Sequence, residues 1–379
     1  MKVRVLVALG LVLGAMSCSS DPAPDAADTT VPEPATADAG SDEASDAGSE
    51  GPAEAAPVEW VESVPGGDCR CADGSEFRLY TRATDPEKVM LYFQGGGACF
   101  SAETCTFEDG TYLPQVEFDP DEAPEGILDP GNPANPFADW SIVFVPYCTG
   151  DVHIGGNVHD YGDGLTVNHV GFVNATAGLD LLVDEFPDAT EVFVTGSSAG
   201  GVPSPLFAGL VADELPDARV TALADASGAY PDNPPVNAAI GSLWGSFANA
   251  PDWPENEGLT PEDYSIPGLF TQTGLHNPAI RLARYDNAYD DVQQQFSELA
   301  AVGGGDLLTV IQANEAGIEA AGVPVDSYIA PGTDHTILLA PEVYTLEVEG
   351  VAFIDWLAGL VAGDDLDDVV CTECGAPAG

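Results

Sequence analysis

Positive charge is what this sequence has least of. Nine Lys plus Arg stand against 63 Asp plus Glu in 379 residues, a formal net charge of −54. A surface so negative repels phosphate backbones, which excludes a nucleic-acid binder. Outside the first 17 residues no apolar run is as long as a membrane span. No internal repeat is visible, and the composition fits neither a collagenous, a coiled-coil nor a small disulfide-scaffold protein. What remains is ordinary for a globular chain. Hydrophobic residues make up 45%, and the length allows one large domain or two smaller ones with a substantial core.

Residues 1–17 read as a signal peptide. Lys2 and Arg4 give a short positive end, and residues 5–15 form an apolar run too short to span a bilayer. The run stops at Ala15-Met16-Ser17-Cys18, which resembles a bacterial lipoprotein box with Cys18 as the lipidated first residue. The alternative is an ordinary cleaved signal and a secreted protein. Residues 18–57 then form a tether: after Cys18 come ten acids and no Lys or Arg, among many Ala, Pro, Ser and Gly. Such a stretch cannot bury enough apolar surface to offset its ordering entropy, so a disordered spacer is expected. The only membrane attachment expected is through the lipid. Losing Lys2 and Arg4 takes the net charge from −54 to −56 and leaves Lys88 as the single lysine. An acid-rich, Lys-poor surface suits high salt, where screening weakens self-repulsion.

An exported chain favours disulfides. Besides Cys18 the cysteines are Cys69, Cys71, Cys99, Cys105, Cys148, Cys371 and Cys374, an odd number. Cys99 and Cys105 are the easiest pair to assign. Cys148 is expected to reach back to Cys69 or Cys71. The Cys371-x-x-Cys374 tail pairs with itself or with the other early Cys. A zinc site from Cys69, Cys71, Cys371 and Cys374 is chemically allowed, but exported thiols normally oxidise.

From about residue 58 to 379 strand-like and helix-like segments alternate. Strands are expected at 89–93, 142–145, 191–195, 220–224, 280–285 and 325–330. Helices are expected within 165–186, 204–215, 291–301, 305–321 and 343–362. Residues 229–275 break the rhythm with Pro, Asn, Gly, Trp244 and Trp253, and read as a cap-like insertion. Alternation over some 300 residues predicts an α/β fold, a mostly parallel sheet covered by helices on both faces.

The strongest chemical signal is Gly196-Ser197-Ser198-Ala199-Gly200 directly after a strand. It fits the G-x-S-x-G nucleophile elbow, in which a sharp strand-to-helix turn exposes the serine hydroxyl. The N–H of Ala199 then faces a developing oxyanion. Pro203 and Pro205 predict that the following helix is bent or starts late. A second group of donors is expected from Gly95-Gly96-Gly97-Ala98, after an earlier strand. Hydrolases with this elbow run in the order serine, acid, histidine. Of five His, only His276 and His335 lie downstream. His335 follows a late strand, as a base should, whereas His276 precedes its strand. Asp286, at a strand's end, is the expected acid. Asp290, Asp291 and Asp225 are the alternatives.

These residues resemble the pectin acetylesterase and Notum-like carboxylesterase family. The matching pieces are Phe93-Gln94-Gly95-Gly96-Gly97-Ala98-Cys99 with Cys105, Pro146-Tyr147-Cys148-Thr149-Gly150-Asp151, Gly196-Ser197-Ser198-Ala199-Gly200-Gly201, Leu223-Ala224-Asp225-Ala226-Ser227-Gly228 and the His335 segment. The resemblance implies an α/β-hydrolase fold, a serine esterase mechanism and no metal cofactor. It carries the triad onto Ser198, Asp286 and His335, and the oxyanion donors onto Gly97, Ala98 and Ala199. Many members have Trp where this chain has Ala98, so the pocket wall differs. The expected function is a monomeric, surface-tethered carboxylesterase removing small acyl groups, acetyl first, from polysaccharide or other extracellular esters. So acidic a surface disfavours polyanionic pectin at low salt. The alternatives are a longer-acyl lipid esterase, with Trp244 and Trp253 in the acyl pocket or simply in the core, and a non-catalytic binding protein that keeps the fold.

Overall fold

The computed structural model describes residues 59–375, apart from 123 and 304. The signal peptide, Cys18 and the whole of the tether lie outside the described residues. In chain order the elements begin with strands β1 (Val61–Ser63), β2 (Leu79–Arg82), β3 (Asp85–Phe93) and β4 (Trp140–Val145), then a hairpin, β5 (Asn157–Gly162) and β6 (Leu165–His169). Next come α1 (Gly171–Glu185), β7 (Glu191–Ser197), α2 (Ser204–Glu214), β8 (Arg219–Asp225), α3 (Pro234–Trp244) and α4 (Ile266–His276). The remainder is β9 (Arg281–Asn287), α5 (Asp291–Leu299), α6 (Leu307–Ala320), β10 (Asp326–Ala330), a short hairpin β11 (Glu347–Val348) and β12 (Val351–Ala352), α7 (Phe353–Ala362) and β13 (Val369–Val370).

Nine strands join in one sheet in the order β1-β2-β4-β3-β7-β8-β9-β10-β13. The pairs β1–β2 and β2–β4 are antiparallel and the rest are parallel. Both faces are buried, so the central strands are apolar at consecutive positions. Along β3, Val89, Leu91 and Phe93 face a cluster with Leu179, Leu182, Leu206 and Phe207 of α1 and α2. Met90 and Tyr92 face the other cluster, with Phe353, Trp356 and Leu357 of α7. Among the described residues no helix is long and apolar enough to cross a membrane.

Three expectations change. The segment 165–186 is not helical throughout: its first five residues form β6. The insertion 229–275 holds two helices, each opened by a proline in its first turn. The final helix starts at Phe353, ten residues later than expected, after a 3₁₀ turn and a hairpin. Disulfides join Cys71 to Cys148, Cys99 to Cys105 and Cys371 to Cys374. Cys69 is a half-buried free thiol. The four cysteines weighed as a zinc site are thus divided between two disulfides and a thiol.

Candidate active site

β7 is the middle strand of the nine and delivers Ser198 at the sheet's carboxyl edge. The chain reverses there, with Ser198 at φ +56°. Such a backbone costs about 1–3 kcal/mol in a residue with a side chain, so the surroundings must enforce it. They do so by close approach. A Cβ on Gly196 would lie 2.4 Å from the Gly200 carbonyl oxygen and 2.5 Å from that of Phe93. A Cβ on Gly200 would lie 2.0 Å from the same Phe93 oxygen. β3 is therefore pressed against the elbow, and only glycine fits at either place. After a 3₁₀ turn, Ser198–Gly200, α2 begins at Ser204 with Pro205 in its first turn. The helix starts late, as its prolines require.

The glycine loop after β3 approaches the elbow from one side. Gly97 pairs with Tyr112 through two bonds, Leu113 N–H to the Gly96 oxygen (3.0 Å) and Ala98 N–H to the Thr111 oxygen (3.2 Å). In this pairing the Gly97 N–H points away from the partner segment. The Ala98 N–H, expected as a further oxyanion donor, is instead committed to Thr111. Ala199 lies in the first turn of its 3₁₀ helix, where N–H groups lack an intrahelical partner.

His335 lies in the loop after β10. Its Nδ1 is 2.7 Å from Oδ2 of Asp290, and its buried Nε2 has no partner among the described residues. Asp290 is the N-cap of α5: its Oδ1 accepts the N–H groups of Val292 and Gln293, each at 2.9 Å. Its Oδ2 also accepts from Gln293 Nε2 at 3.1 Å.

Asp286, the expected acid, is not brought to His335. β9 runs two residues further than expected, so Asp286 lies inside the strand, paired with Ile329. Its Oδ1 accepts from Gly228 N–H (2.9 Å) and Gln293 Nε2 (3.0 Å). Burial pushes its carboxyl up to about 6. Of the alternatives, Asp291 is exposed. Asp225 holds backbone: its carboxylate accepts the N–H groups of Ile337 (3.0 Å) and Leu338 (3.1 Å), just after His335. Ser197 Oγ donates to Asp225 at 2.6 Å, and the Tyr92 hydroxyl donates to Ser197 at 2.8 Å. This chain of bonds ties the strand under Ser198 to the loop of His335. Burial pushes Asp225 up to about 6 as well.

Two other histidines have structural partners. Buried His153 is pushed down to about 4 by desolvation, so its neutral ring donates from Nε2 to the Gln94 oxygen at 2.9 Å. It thereby steadies the start of the glycine loop. His276 ends α4 at the amino edge of the sheet, stacked on Trp253 at 4.2 Å and bonded to Asp213 at 2.8 Å.

Ser198, Gly97, Ala98 and Ala199 share one cavity of about 130 Å³. Its remaining wall is mostly apolar: Phe100, Val152, Ile154 and Val202 from the core, Val236, Ile240, Trp244, Ile266 and Leu269 from the insertion, and Phe296 from α5. Trp244 also donates its indole N–H to the Cys99 oxygen at 2.8 Å, tying the insertion to the glycine loop. Trp253 packs in the core and donates to Asp213 at 2.8 Å.

The family model described as Pectinacetylesterase matches residues 52–252, more than half of the chain. The chain belongs to the pectinacetylesterase family. Palmitoleoyl-protein carboxylesterase notum2 of Xenopus laevis is 33% identical over 141 residues, 35% of this chain and 28% of that protein. Pectin acetylesterase 4 of Arabidopsis thaliana is 31% identical over 140 residues, 36% of this chain and 34% of that protein. The chain thus spans about a third of the length of the curated relatives it matches. The structure of the Wnt deacylase Notum from Drosophila superposes with a TM-score of 0.61 at 15% identity, over 84% of this chain and 98% of that one. That likeness shows a shared α/β-hydrolase fold.

The family match covers only part of the candidate site. In this pectinacetylesterase-family chain it covers the glycine loop and Ser198 but stops at residue 252, before Asp286, Asp290 and His335. The acid had to be chosen from strand ends, whereas the carboxylate that meets His335 is that of Asp290, on a helix cap. The Asp290-x-x-Gln293 spacing ahead of an amphipathic segment was the signal that could have found it. His153 gave no signal, because its role depends on a left-handed turn at Val152 and His153.

Proposed function

We propose that this chain is an exported serine carboxylesterase that works through an acyl-enzyme on Ser198. His335 Nε2 takes the proton from the Ser198 hydroxyl as it attacks the ester carbonyl. Asp290, rather than Asp286, orients the imidazole through Nδ1 and stabilises its charged form. The N–H groups of Gly97 and Ala199 receive the oxyanion. The alcohol leaves with the proton from His335, and water releases the acid by the reverse sequence. The single observation that carries this reading is the strained elbow at Ser198 opening into an apolar cavity. The 2.7 Å contact between His335 and Asp290 supports the assignment of base and acid.

The same cavity bears on the acyl group. Its volume of about 130 Å³ is close to the roughly 150 Å³ that admits a benzene molecule. An acetyl group would leave most of that space empty, and an acyl tail of about four to six carbons would fill it. This favours a medium acyl group over the acetyl expected first. The alcohol side is taken to be neutral, since the chain's own charge repels polyanions. The three disulfides support export. Lipidation of Cys18 is proposed from the sequence alone.

Hydrolysis of 4-nitrophenyl esters from acetyl to dodecanoyl, with Ser198→Ala alongside, tests the reading. The expected result is an optimum near butanoyl or hexanoyl and no turnover by Ser198→Ala. An optimum at acetyl would return the reading to a deacetylase. Turnover that survives Ser198→Ala would overturn the mechanism. Failure to hydrolyse any ester, together with failure to take a fluorophosphonate label, would leave the binding-protein reading.

A further inference from the structure

Gln293 is an amide placed between two buried carboxylates. Its Nε2 donates one hydrogen to Asp286 Oδ1 (3.0 Å) and one to Asp290 Oδ2 (3.1 Å). Its Oε1 accepts the Ala229 N–H at 2.9 Å. Every donor and acceptor of the amide is therefore used. The bond to Asp290 falls on the oxygen that His335 Nδ1 also meets. The bond to Asp286 ties the amide to a strand carboxyl that also holds the Gly228 N–H. Asp286, Asp290 and Gln293 are all at most 1% exposed, so no solvent is available to replace these bonds.

We propose that Gln293 and Asp286 are a positioning pair for the proposed base, with Gln293 limiting how much of the Asp290 charge reaches His335. The inference rests on the reading of Ser198, His335 and Asp290 as the reacting set. An amide N–H on Asp290 Oδ2 draws negative charge away from the imidazole and fixes the carboxylate plane. Asp286 acts only as an acceptor that keeps the amide pointing this way. The charged and titratable groups around this cluster are Asp225 on β8, Tyr230 in the loop after it, Arg284 on β9 and Asp286 itself. None of them provides a second donor to Asp290 Oδ2 among the described residues.

The test uses 4-nitrophenyl butanoate as probe and the whole chain. Gln293→Met keeps the length and apolar stem but removes both donors. With the donor gone, Asp290 holds the imidazolium more strongly, so the acid limb of kcat/KM is expected to move to higher pH. kcat is expected to fall roughly ten- to a hundredfold with KM little changed. Asp286→Asn still offers an oxygen to Gln293 and Gly228, and is expected to cost about tenfold or less. Asp290→Asn, by contrast, is expected to cost about 10⁴-fold. A loss of turnover by Gln293→Met without any shift of the acid limb, in protein that stays folded by circular dichroism, would overturn the proposal. So would a loss of about 10⁴-fold in Asp286→Asn, which would make Asp286 the acid after all. If Ser198→Ala keeps its turnover, the esterase reading itself fails, and that outcome is separate from the other two.

Discussion

Tyr264 is the polar residue out of place in the cavity beside Ser198. It lines the cavity and is 7% exposed, and its hydroxyl has no partner among the described residues. A buried, unpaired hydroxyl weakens the fold, so its removal is neutral or stabilising by up to about 1 kcal/mol. Tyr264→Phe is therefore expected to hold or raise the melting temperature and to favour longer acyl esters. A clear drop in melting temperature would mean that the hydroxyl is paired in solution. At this same scale the sequence was readable only in part. The places of Ser198 and His335 in the fold were legible because each follows a strand whose apolar run could be read. Asp286 was chosen by the same rule, but the strand continues to Asn287 and the carboxylate that meets His335 comes from the next helix cap.

At the scale of elements, the insertion shapes the cavity beside Ser198. Its two helices were invisible to a reading in which proline breaks helices. Pro234, Pro235 and Pro267 instead sit in the first turn, where the missing N–H is harmless and the fixed φ assists. The β5–β6 hairpin was missed because its apolar residues run straight into α1. The central sheet was legible because parallel strands buried on both faces are apolar at every position. Since α3 forms one wall, its side chains should set chain length. Ile240→Trp is expected to fill the cavity, cutting butanoyl ester hydrolysis at least about tenfold while sparing the acetyl ester. Competing rates on the two esters would check this, and equal losses on both would place Ile240 outside the acyl path. Trp244→Phe keeps the packing but removes the bond to the Cys99 oxygen. It is expected to cost about 1 kcal/mol, read as a lower midpoint in urea.

At the scale of the whole molecule, acid governs the response to pH and salt. Burial raises Asp151, Asp225 and Asp286 from the ordinary 3.8 to about 6. Between those values the folded chain binds more protons than the unfolded one, so stability falls as pH rises from about 4 to 6. Below 4 both states are protonated and this contribution is fully present. Buried His153 and His169, pushed down from 6.5 to about 4, act the other way: between those values the unfolded chain binds more protons, so their contribution rises with pH. The two sets oppose each other, so the melting temperature is expected to change little between pH 5 and pH 8, and a steep trend either way would overturn that balance. Salt should also stabilise. Going from 0.1 to 1 M shortens the screening length from about 10 to 3 Å and weakens the mutual repulsion of the acids. A melting temperature that falls across that series would rule out self-repulsion as the controlling term.

Among the described residues the scarce cations are all employed. Arg70, Arg78, Lys88, Arg219, Arg281 and Arg284 each meet a carboxylate within 4 Å. Arg82, 2% exposed, donates to the Leu128 oxygen under Trp60. Residues 19–57 contain no Lys or Arg at all. Digestive enzymes of the trypsin type cut only after those two residues. They would find seven bonds beyond residue 57, two of them after arginines sealed in the core, and none between residues 19 and 57.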